Sequence, residues 1–384
     1  MFYLKIAALV LLSLLAAMSI IGSQLARHPS GKWWVRMWDF PRYQLAIFAA
    51  ISLLGFGYYW WPLTNPIEQP FPLIFLGILV GTIVYQLYRI YPYTPFASVL
   101  SRRAEEVTDD RERIEQNEVS VLVSNVYMYN RDYDRLISLV RDTCPAMVLA
   151  LETDGKWVEA LDTIQDTHPY RVAIPLHNTY GMVLYSRLPL DDVHVRYLIE
   201  DGVPSIRTRV CLPSGEHFTF YAVHPVPPSP QISDTSLKRD VELIQLAKEI
   251  DEEYRHEAVI VAGDLNDVAW SDTTRMFLRL SKLLDPRCGR GLFNTFHTRI
   301  PPLRVPLDHI FHSKEFYLCS IQRMPSVGSD HFPMYIRLTL LRDATEGQEP
   351  LQTDERTNDI AQTKVKDAEE HGDIPLPERL DLSA

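Results

Sequence analysis

Three apolar runs crowd the first 90 residues. Leu4 to Gly22 carries one charge, Lys5, at its edge, while Leu45 to Trp61 and Phe71 to Leu87 carry none. About 20 apolar residues suffice for a helix to cross a bilayer, within a range of roughly 17 to 25. Lipid offers backbone groups no hydrogen bonds, so such a run must satisfy its own as a helix. The three runs therefore predict three membrane-spanning helices. A cleaved leader is the competing reading of the first run, but Ser23-Gln24-Leu25-Ala26 is a poor cleavage site. Aromatic residues mark the run ends: Trp33, Trp34 and Trp38 before the second, Tyr58 to Trp61 at its close, and Tyr85, Tyr88, Tyr91 and Tyr93 around the end of the third. Rings with one polar tip favour the headgroup level.

Charge gives an orientation. Arg27, Lys32, Arg36 and Arg42 lie between the first two runs, and Arg89, Arg102 and Arg103 follow the third, whereas the Thr64–Pro70 loop holds only Glu68. The Arg-rich side is expected in the cytoplasm, which puts the remainder of the chain there, at a bacterial-type inner or plasma membrane.

The net charge of -11 is uneven. Residues 1–117 are net +2, residues 118–341 net -6, and the last 43 residues net -7. An acidic middle segment argues against a general nucleic-acid coat, which needs basic surface. Residues 96–117 read as an exposed linker after an anchor at 1–95. Residues 342–384 have few core-forming side chains and are expected to be a disordered acidic tail. Four widely spaced cysteines make neither a disulfide scaffold nor a zinc site, and read as small core residues.

Residues 118–341 alternate strands and helices. Val119–Val126, Ala146–Leu151, Gly181–Tyr185, Arg207–Leu212, His217–His224, Ala258–Gly263, Leu307–Phe311 and Pro333–Leu340 read as strands. Tyr133–Arg141, Lys156–Thr163, Leu237–Tyr254 and Asp272–Leu280 have helical spacing. Such alternation fits two packed sheets with helices outside, an α/β sandwich.

Polar residues recur where these strands end, the place where an open sheet delivers side chains to a cleft. Gly263-Asp264-Leu265-Asn266 follows a strand of four apolar residues. A carboxylate two residues from a neutral amide suits a phosphate ester: one can hold or deprotonate water, the other can donate to a phosphate oxygen. An ordinary Asx turn would look the same. Ser329-Asp330-His331 offers an imidazole beside a carboxylate. Asp308 alternates with Leu307 and His309 on a strand. Glu152, Asn125 and His224 each close a strand. Taken singly, each could be a cap, a salt bridge or a satisfied core group.

In order, Asn125, Glu152, Gly181–Pro189, His224, Gly263–Asn266, Leu307–His309 and Ser329–His331 resemble the endonuclease/exonuclease/phosphatase superfamily of DNase I-like nucleases, inositol-phosphate phosphatases and neutral sphingomyelinases. The resemblance implies a four-layer α/β sandwich and a divalent ion, Mg²⁺ or alternatively Mn²⁺. It also implies Glu152, Asn125 and Asp330 on the metal, and Asp264 and Asn266 positioning water and phosphate. His331 would be the acid/base histidine, oriented by Asp308, and His224 would stabilise phosphoryl oxygens. Arg207 is added as a phosphate contact. Two positions depart from the family pattern: Leu151 stands where Gln often precedes the Glu, and Met182 where Asn often follows the Gly. With three apolar runs, the Trp33–Arg42 loop and His224-Pro225-Val226-Pro227-Pro228, the chain resembles the small membrane-bound branch associated with teicoplanin resistance.

The expected function is a membrane-anchored, metal-dependent phosphoesterase acting on a phosphate ester or pyrophosphate, lipid-linked or membrane-proximal. A membrane-tethered nuclease and a non-catalytic scaffold are the alternatives. The charge asymmetry predicts that a reporter fused after Ala384 is active if it is one that works only in the cytoplasm, and silent if it needs export; the reverse pattern would refute the orientation.

Overall fold

The computed structural model describes residues 2–60, 70–253, 257–344 and 347–371. Trp61, most of the Thr64–Pro70 loop, Tyr254 and the 372–384 end of the expected tail lie outside the described residues. The chain divides into two compact units, residues 1–97 with 228–235, and residues 98–227 with 236–384.

The first unit holds α1 (Phe2–Leu25), α2 (Trp33–Arg36), α3 (Arg42–Trp60) and α4 (Pro70–Ile90). Two stretches, Phe2–Leu25 and Phe71–Tyr93, are each long and apolar enough to cross a membrane. Among the described residues the expected second span, from Leu45, qualifies only when α3 is joined to the Trp33–Asp39 helices, from which it bends by 72°. Ala16, Ala49, Phe56 and Leu79 form the shared apolar contact of α1, α3 and α4. A polar chain crosses the same helices: Asp39 pairs with Arg42, Arg42 donates to Gln86 Oε1 at 3.3 Å, and Gln86 Nε2 donates to Ser23 Oγ at 2.7 Å. Each member is at most 2% exposed, so the side chains satisfy one another rather than facing lipid.

The second unit opens with α5 (Arg111–Gln116) and then alternates β1 (Glu118–Asn125), α6 (Tyr133–Thr143), β2 (Met147–Leu151), α7 (Gly155–Leu161), β3 (Tyr170–Ile174), β4 (Met182–Ser186), β5 (Leu190–Arg196), β6 (Ser205–Cys211), β7 (His217–Val223), α8 (Leu237–Glu253), β8 (Ala258–Asp264), α9 (Asp272–Ser281), β9 (Asp308–His312), β10 (Phe316–Arg323), β11 (Met334–Leu340) and α10 (Glu355–His371). Six strands form one sheet in the order β10-β11-β1-β2-β4-β3, and five form the other in the order β5-β6-β7-β8-β9.

Strand alternation builds the layers. Val119, Val121 and Val123 of β1 face Phe218, Phe220 and Ala222 of β7 and Ile260 and Ala262 of β8 in the core between the sheets. The opposite faces take the helices. Leu122, Val148 and Ala150 pack with Leu136 and Val140 of α6 and Trp157 of α7. Val259 and Val261 pack with Ile244 and Ala247 of α8 and Phe277 of α9. Helix, sheet, sheet, helix is the four-layer sandwich the sequence predicts. β1 and β2 run parallel, as do β7 and β8, so four carboxyl ends open at one end of the molecule. At Gly263 the two central strands of the second sheet approach so closely that a Cβ would lie 1.9 Å from the Val223 carbonyl oxygen, with φ at 151°. Only glycine fits there.

Three strands go unpredicted, β3, β5 and β10, and all three are sheet edges. The expected linker and tail are corrected. Ala104 is buried with Tyr317 and Leu341, and Arg102 N donates to Gln348 Oε1 at 2.7 Å, so residues 101–117 pack on β10 and its surroundings. In the tail, α10 lays Ala361 and Val365 into the α8–α9 core. Three small apolar residues at helical spacing, Ala361, Val365 and Ala368, make a narrow stripe that a composition count dilutes. Of the four cysteines only Cys288 is buried, and all are free.

Lys364 of α10 reaches the fully buried Asp240 of α8. Burial alone would raise the Asp240 pKa, but Lys364 and Arg239 outweigh it and hold it down at about 2. A carboxyl with a depressed folded pKa contributes stability that is present above its unfolded value and lost as pH falls through the folded one. The Asp240 contribution should therefore fade between about pH 4 and pH 2. Lys364→Met should move the acid-unfolding midpoint to higher pH, followed by circular dichroism; an unchanged midpoint would contradict the pairing.

Candidate active site

The four parallel strand ends deliver the predicted residues. Asn125 closes β1, Glu152 follows β2, His224 follows β7, and Asp264 closes β8. Asp308 opens β9 directly opposite Asp264 in the antiparallel register. His331 precedes β11, where Ser329 Oγ donates to the Asn125 carbonyl at 2.7 Å and accepts from His331 N at 3.0 Å. That serine ties the histidine loop to the end of the first strand.

Contacts between these groups are direct. Asn125 Nδ2 donates to Glu152 Oε1 at 2.9 Å and to Asp264 Oδ2 at 3.1 Å, joining side chains from the two sheets. Its own Oδ1 accepts from Tyr127 N at 3.0 Å. Asn125 thus spaces the carboxylates, and its oxygen, expected on the metal, is engaged by backbone. Met128 N donates to Glu152 Oε2 at 3.3 Å. His331 Nδ1 pairs with Asp308 Oδ2 at 2.8 Å, and its Nε2 lies 3.7 Å from Asp264 Oδ2. Asp264 Oδ1 accepts from Asn266 N at 2.8 Å, and Asn266 Nδ2 donates to the Pro225 carbonyl at 2.9 Å. Glu152 and Asn266 both take positive φ, 62° and 51°, a backbone cost accepted at few non-glycine positions.

Burial sets the electrostatics. It pushes Glu152 up to about 7, against the Asn125 hydrogen bond and the nearby His331. Asp264 is raised for the same reason despite His331. For His331 burial works downward, but Asp308 and Asp264 win and raise it to about 10. His224, desolvated with less compensation, is lowered. The site therefore sets a neutral imidazole and a protonated one among carboxylates.

Asp264, Asp308 and His331 each offer a ligand atom, all within 4.8 Å of one another. Asp308 Oδ1 and His224 Nδ1 are buried with no hydrogen-bond partner among the described residues. Crowded, buried carboxylate oxygens, one of them orphaned, fit a hard divalent cation. Asp330 accepts from Ser329 Oγ at 3.3 Å and lies outside that three-residue group.

Arg207 is a correction. Its neighbour Ile206 occupies the core between the sheets, so Arg207 points to the other face, where it donates to Asp192 Oδ2 at 2.8 Å and lies 3.9 Å from Glu249 of α8. Further side chains, not singled out by the sequence, support the site from behind. Tyr180 sets its ring 5.3 Å from His224. Buried Arg287 is held by Asp285 and reaches His309 Nδ1 at 2.6 Å and the Asp308 carbonyl at 3.3 Å. His309 Nε2 in turn meets the Asp267 carbonyl at 2.9 Å. The one sequence signal for these was His309 itself, beside Asp308 on an otherwise apolar strand.

The signature described as Endonuclease/Exonuclease/phosphatase family matches residues 122–331, more than half of the chain. The chain belongs to that family. The match spans every residue discussed above from Asn125 to His331. A search of curated proteins finds no match. Similar solved structures include an endonuclease/exonuclease/phosphatase from Bacteroides vulgatus, at 17% identity, 58% of this chain, 99% of that one and a TM-score of 0.48. The human Nocturnin catalytic domain with bound sulfate gives 14%, 59%, 95% and 0.47. TDP2 from D. rerio with a single strand DNA product gives 16%, 58%, 99% and 0.48. Members of the family are hydrolases of phosphoesters and depend on divalent metal.

The donor set, extended to Glu152 by the Asn125 Nδ2 bridge to Asp264, predicts that millimolar Mg²⁺ raises the thermal unfolding midpoint of the detergent-solubilised chain, and that Glu152→Gln loses most of that rise. An equal rise in the variant would remove Glu152 from the cation site.

Proposed function

We propose that the chain is a membrane-anchored, divalent-metal-dependent phosphoesterase acting on a phosphate ester or pyrophosphate that is lipid-linked or membrane-proximal. The observation that carries the chemistry is the convergence of Asn125, Glu152, His224, Asp264, Asp308 and His331 at one end of two sheets, with His331 clamped to Asp308 at 2.8 Å. Support for the membrane side is the pair of helices apolar enough to span.

Glu152 and Asp330 are the proposed metal ligands, with Asn125 orienting Glu152. The cation, Mg²⁺ or Mn²⁺, would neutralise phosphate charge. Asp264, its orientation fixed by Asn266 N and Asn125 Nδ2, accepts the proton of an attacking water through Oδ2. Asn266 supports the turn and lies where an amide can meet a phosphoryl oxygen. Asp308 fixes the His331 ring through Nδ1, so that Nε2, carrying the proton that its raised pKa retains, faces the reacting group as acid. Neutral His224 can donate to a phosphoryl oxygen without drawing off the cation's charge. The cytoplasmic placement of this unit remains part of the proposal.

Asp264→Ala and His331→Ala should each lower Mg²⁺-dependent hydrolysis of bis(p-nitrophenyl) phosphate by about 10²-fold or more, and Asp308→Asn by a smaller factor. Full activity in both alanine variants would sink the reading. If DNA is cleaved in preference to lipid phosphates, with rates falling steeply as salt rises, the nuclease alternative replaces it, against the net charge of -6 over residues 118–341.

A further inference from the structure

Arg239 of α8 is 1% exposed and carries no role in the chemistry above. Its Nη1 donates to the Asn266 carbonyl at 2.7 Å. Its Nη2 lies 3.2 Å from Asp267 Oδ2. Nε and Nη2 donate to Asp240 Oδ1 at 3.3 and 3.2 Å. Asp240 is itself fully buried and accepts from Ser236 Oγ at 2.8 Å and Thr273 Oγ1 at 3.0 Å, with Lys364 of α10 on its other oxygen. The guanidinium therefore spans from α8 to the turn that carries Asp264 and Asn266.

We infer that Arg239 is a positioning residue for the Asp264–Asp267 turn, and that the C-terminal helix α10 keeps it in that role through Lys364. The inference rests on the phosphoesterase reading of the site for its kinetic consequence, but not for its structural one.

Charge balance gives the reason. Asp240 and Asp267 are buried anions, with Arg239 between them and Lys364 on Asp240 alone. Losing Lys364 leaves a buried anion less compensated, which costs more than the same loss at the surface. Without Lys364, Asp240 would draw the Arg239 fork toward itself and away from the Asn266 carbonyl. The carbonyl that Arg239 holds follows a left-handed residue, Asn266 at a φ of 51°, so the tie fixes the direction in which the chain leaves the turn. Other ties hold the turn as well: Asn266 N to Asp264, Asn266 Nδ2 to Pro225, Asn125 Nδ2 to Asp264, Leu265 N to the Leu307 carbonyl, Ser271 Oγ to Asp267 and the Asp267 carbonyl to His309. Arg239 is the one described tie that leads out to α10. An acidic segment that composition marks as dispensable thereby becomes a strut of the catalytic turn.

The competing view is that α10 only adds apolar contact through Ala361 and Val365. Lys364→Met keeps the helix and its packing; Val365→Ala trims the packing and keeps the lysine. Hydrogen exchange of amides 264–268 reads the turn without any substrate. We expect faster exchange there in Lys364→Met and in Arg239→Lys, and none beyond the wild type in Val365→Ala, although its Tm falls. With bis(p-nitrophenyl) phosphate and Mg²⁺, Lys364→Met should lower kcat about tenfold with KM nearly unchanged. In an Arg239→Met background, Lys364→Met should cost nothing more. Unchanged exchange at 264–268 in Lys364→Met, or fully additive kcat losses in the double variant, overturns the inference. If exchange responds as expected while the wild type hydrolyses no phosphoester, the strut stands and the proposed function falls.

Discussion

Everything at the open end of the sandwich depends on placing Asp264 and Asp308 side by side out of water. The register of β8 against β9 makes them neighbours, and two adjacent desolvated carboxylates repel unless something positive or protonated is supplied. His331 is that supply in the protein alone, touching one and lying near the other. Glu152, desolvated and joined to Asp264 through Asn125, adds a third carboxylate to that demand. The strand ends, the Ser329 tie and the Arg287–His309 support all hold a charge arrangement that would otherwise relax apart. A looser site would lower its own electrostatic tension and lose its purpose.

How much of this was legible follows from burial. Strands covered on both faces, such as β1, β2, β7 and β8, read as runs of Val, Ile, Leu and Ala, and the residue closing each run proved to be the one delivered to the cleft. Edge strands have one neighbour and weak apolar patterning. β5, largely exposed as Leu190–Arg196, reads as a polar loop until its partner β6 is known. Arg207 shows the same limit at the level of one side chain: its type suits phosphate, but the strand's alternation with Ile206 sends it to the wrong face. Buried ion groups such as Arg239, Asp240 and Lys364 are invisible in sequence because Lys364 lies 124 residues from the Asp240 it pairs with. In composition they count only as ordinary surface charge.

The membrane-apolar unit obeys the same physics. Arg42, Asp39, Gln86 and Ser23 would each be costly in lipid alone, and are tolerable because each meets another. A bend of 72° before α3 lets the Trp33–Asp39 turn bring Asp39 to Arg42. Polar residues that hydropathy counts as interruptions are the contacts through which α1, α3 and α4 are fixed in register.

The strand order of the first sheet has a temporal consequence. β1 lies between β2 and β11, so the earliest strand of the unit is flanked by the latest. As the chain is synthesised, apolar helices emerge first and can enter a membrane while β1 still exposes a bare hydrogen-bonding edge. That edge can close only when residues 334–340 appear, and the same step brings His331 against Asp308. Enzyme assembly and edge protection are thus one event. A half-made chain is a sticky, inert body, and it becomes safe and capable together.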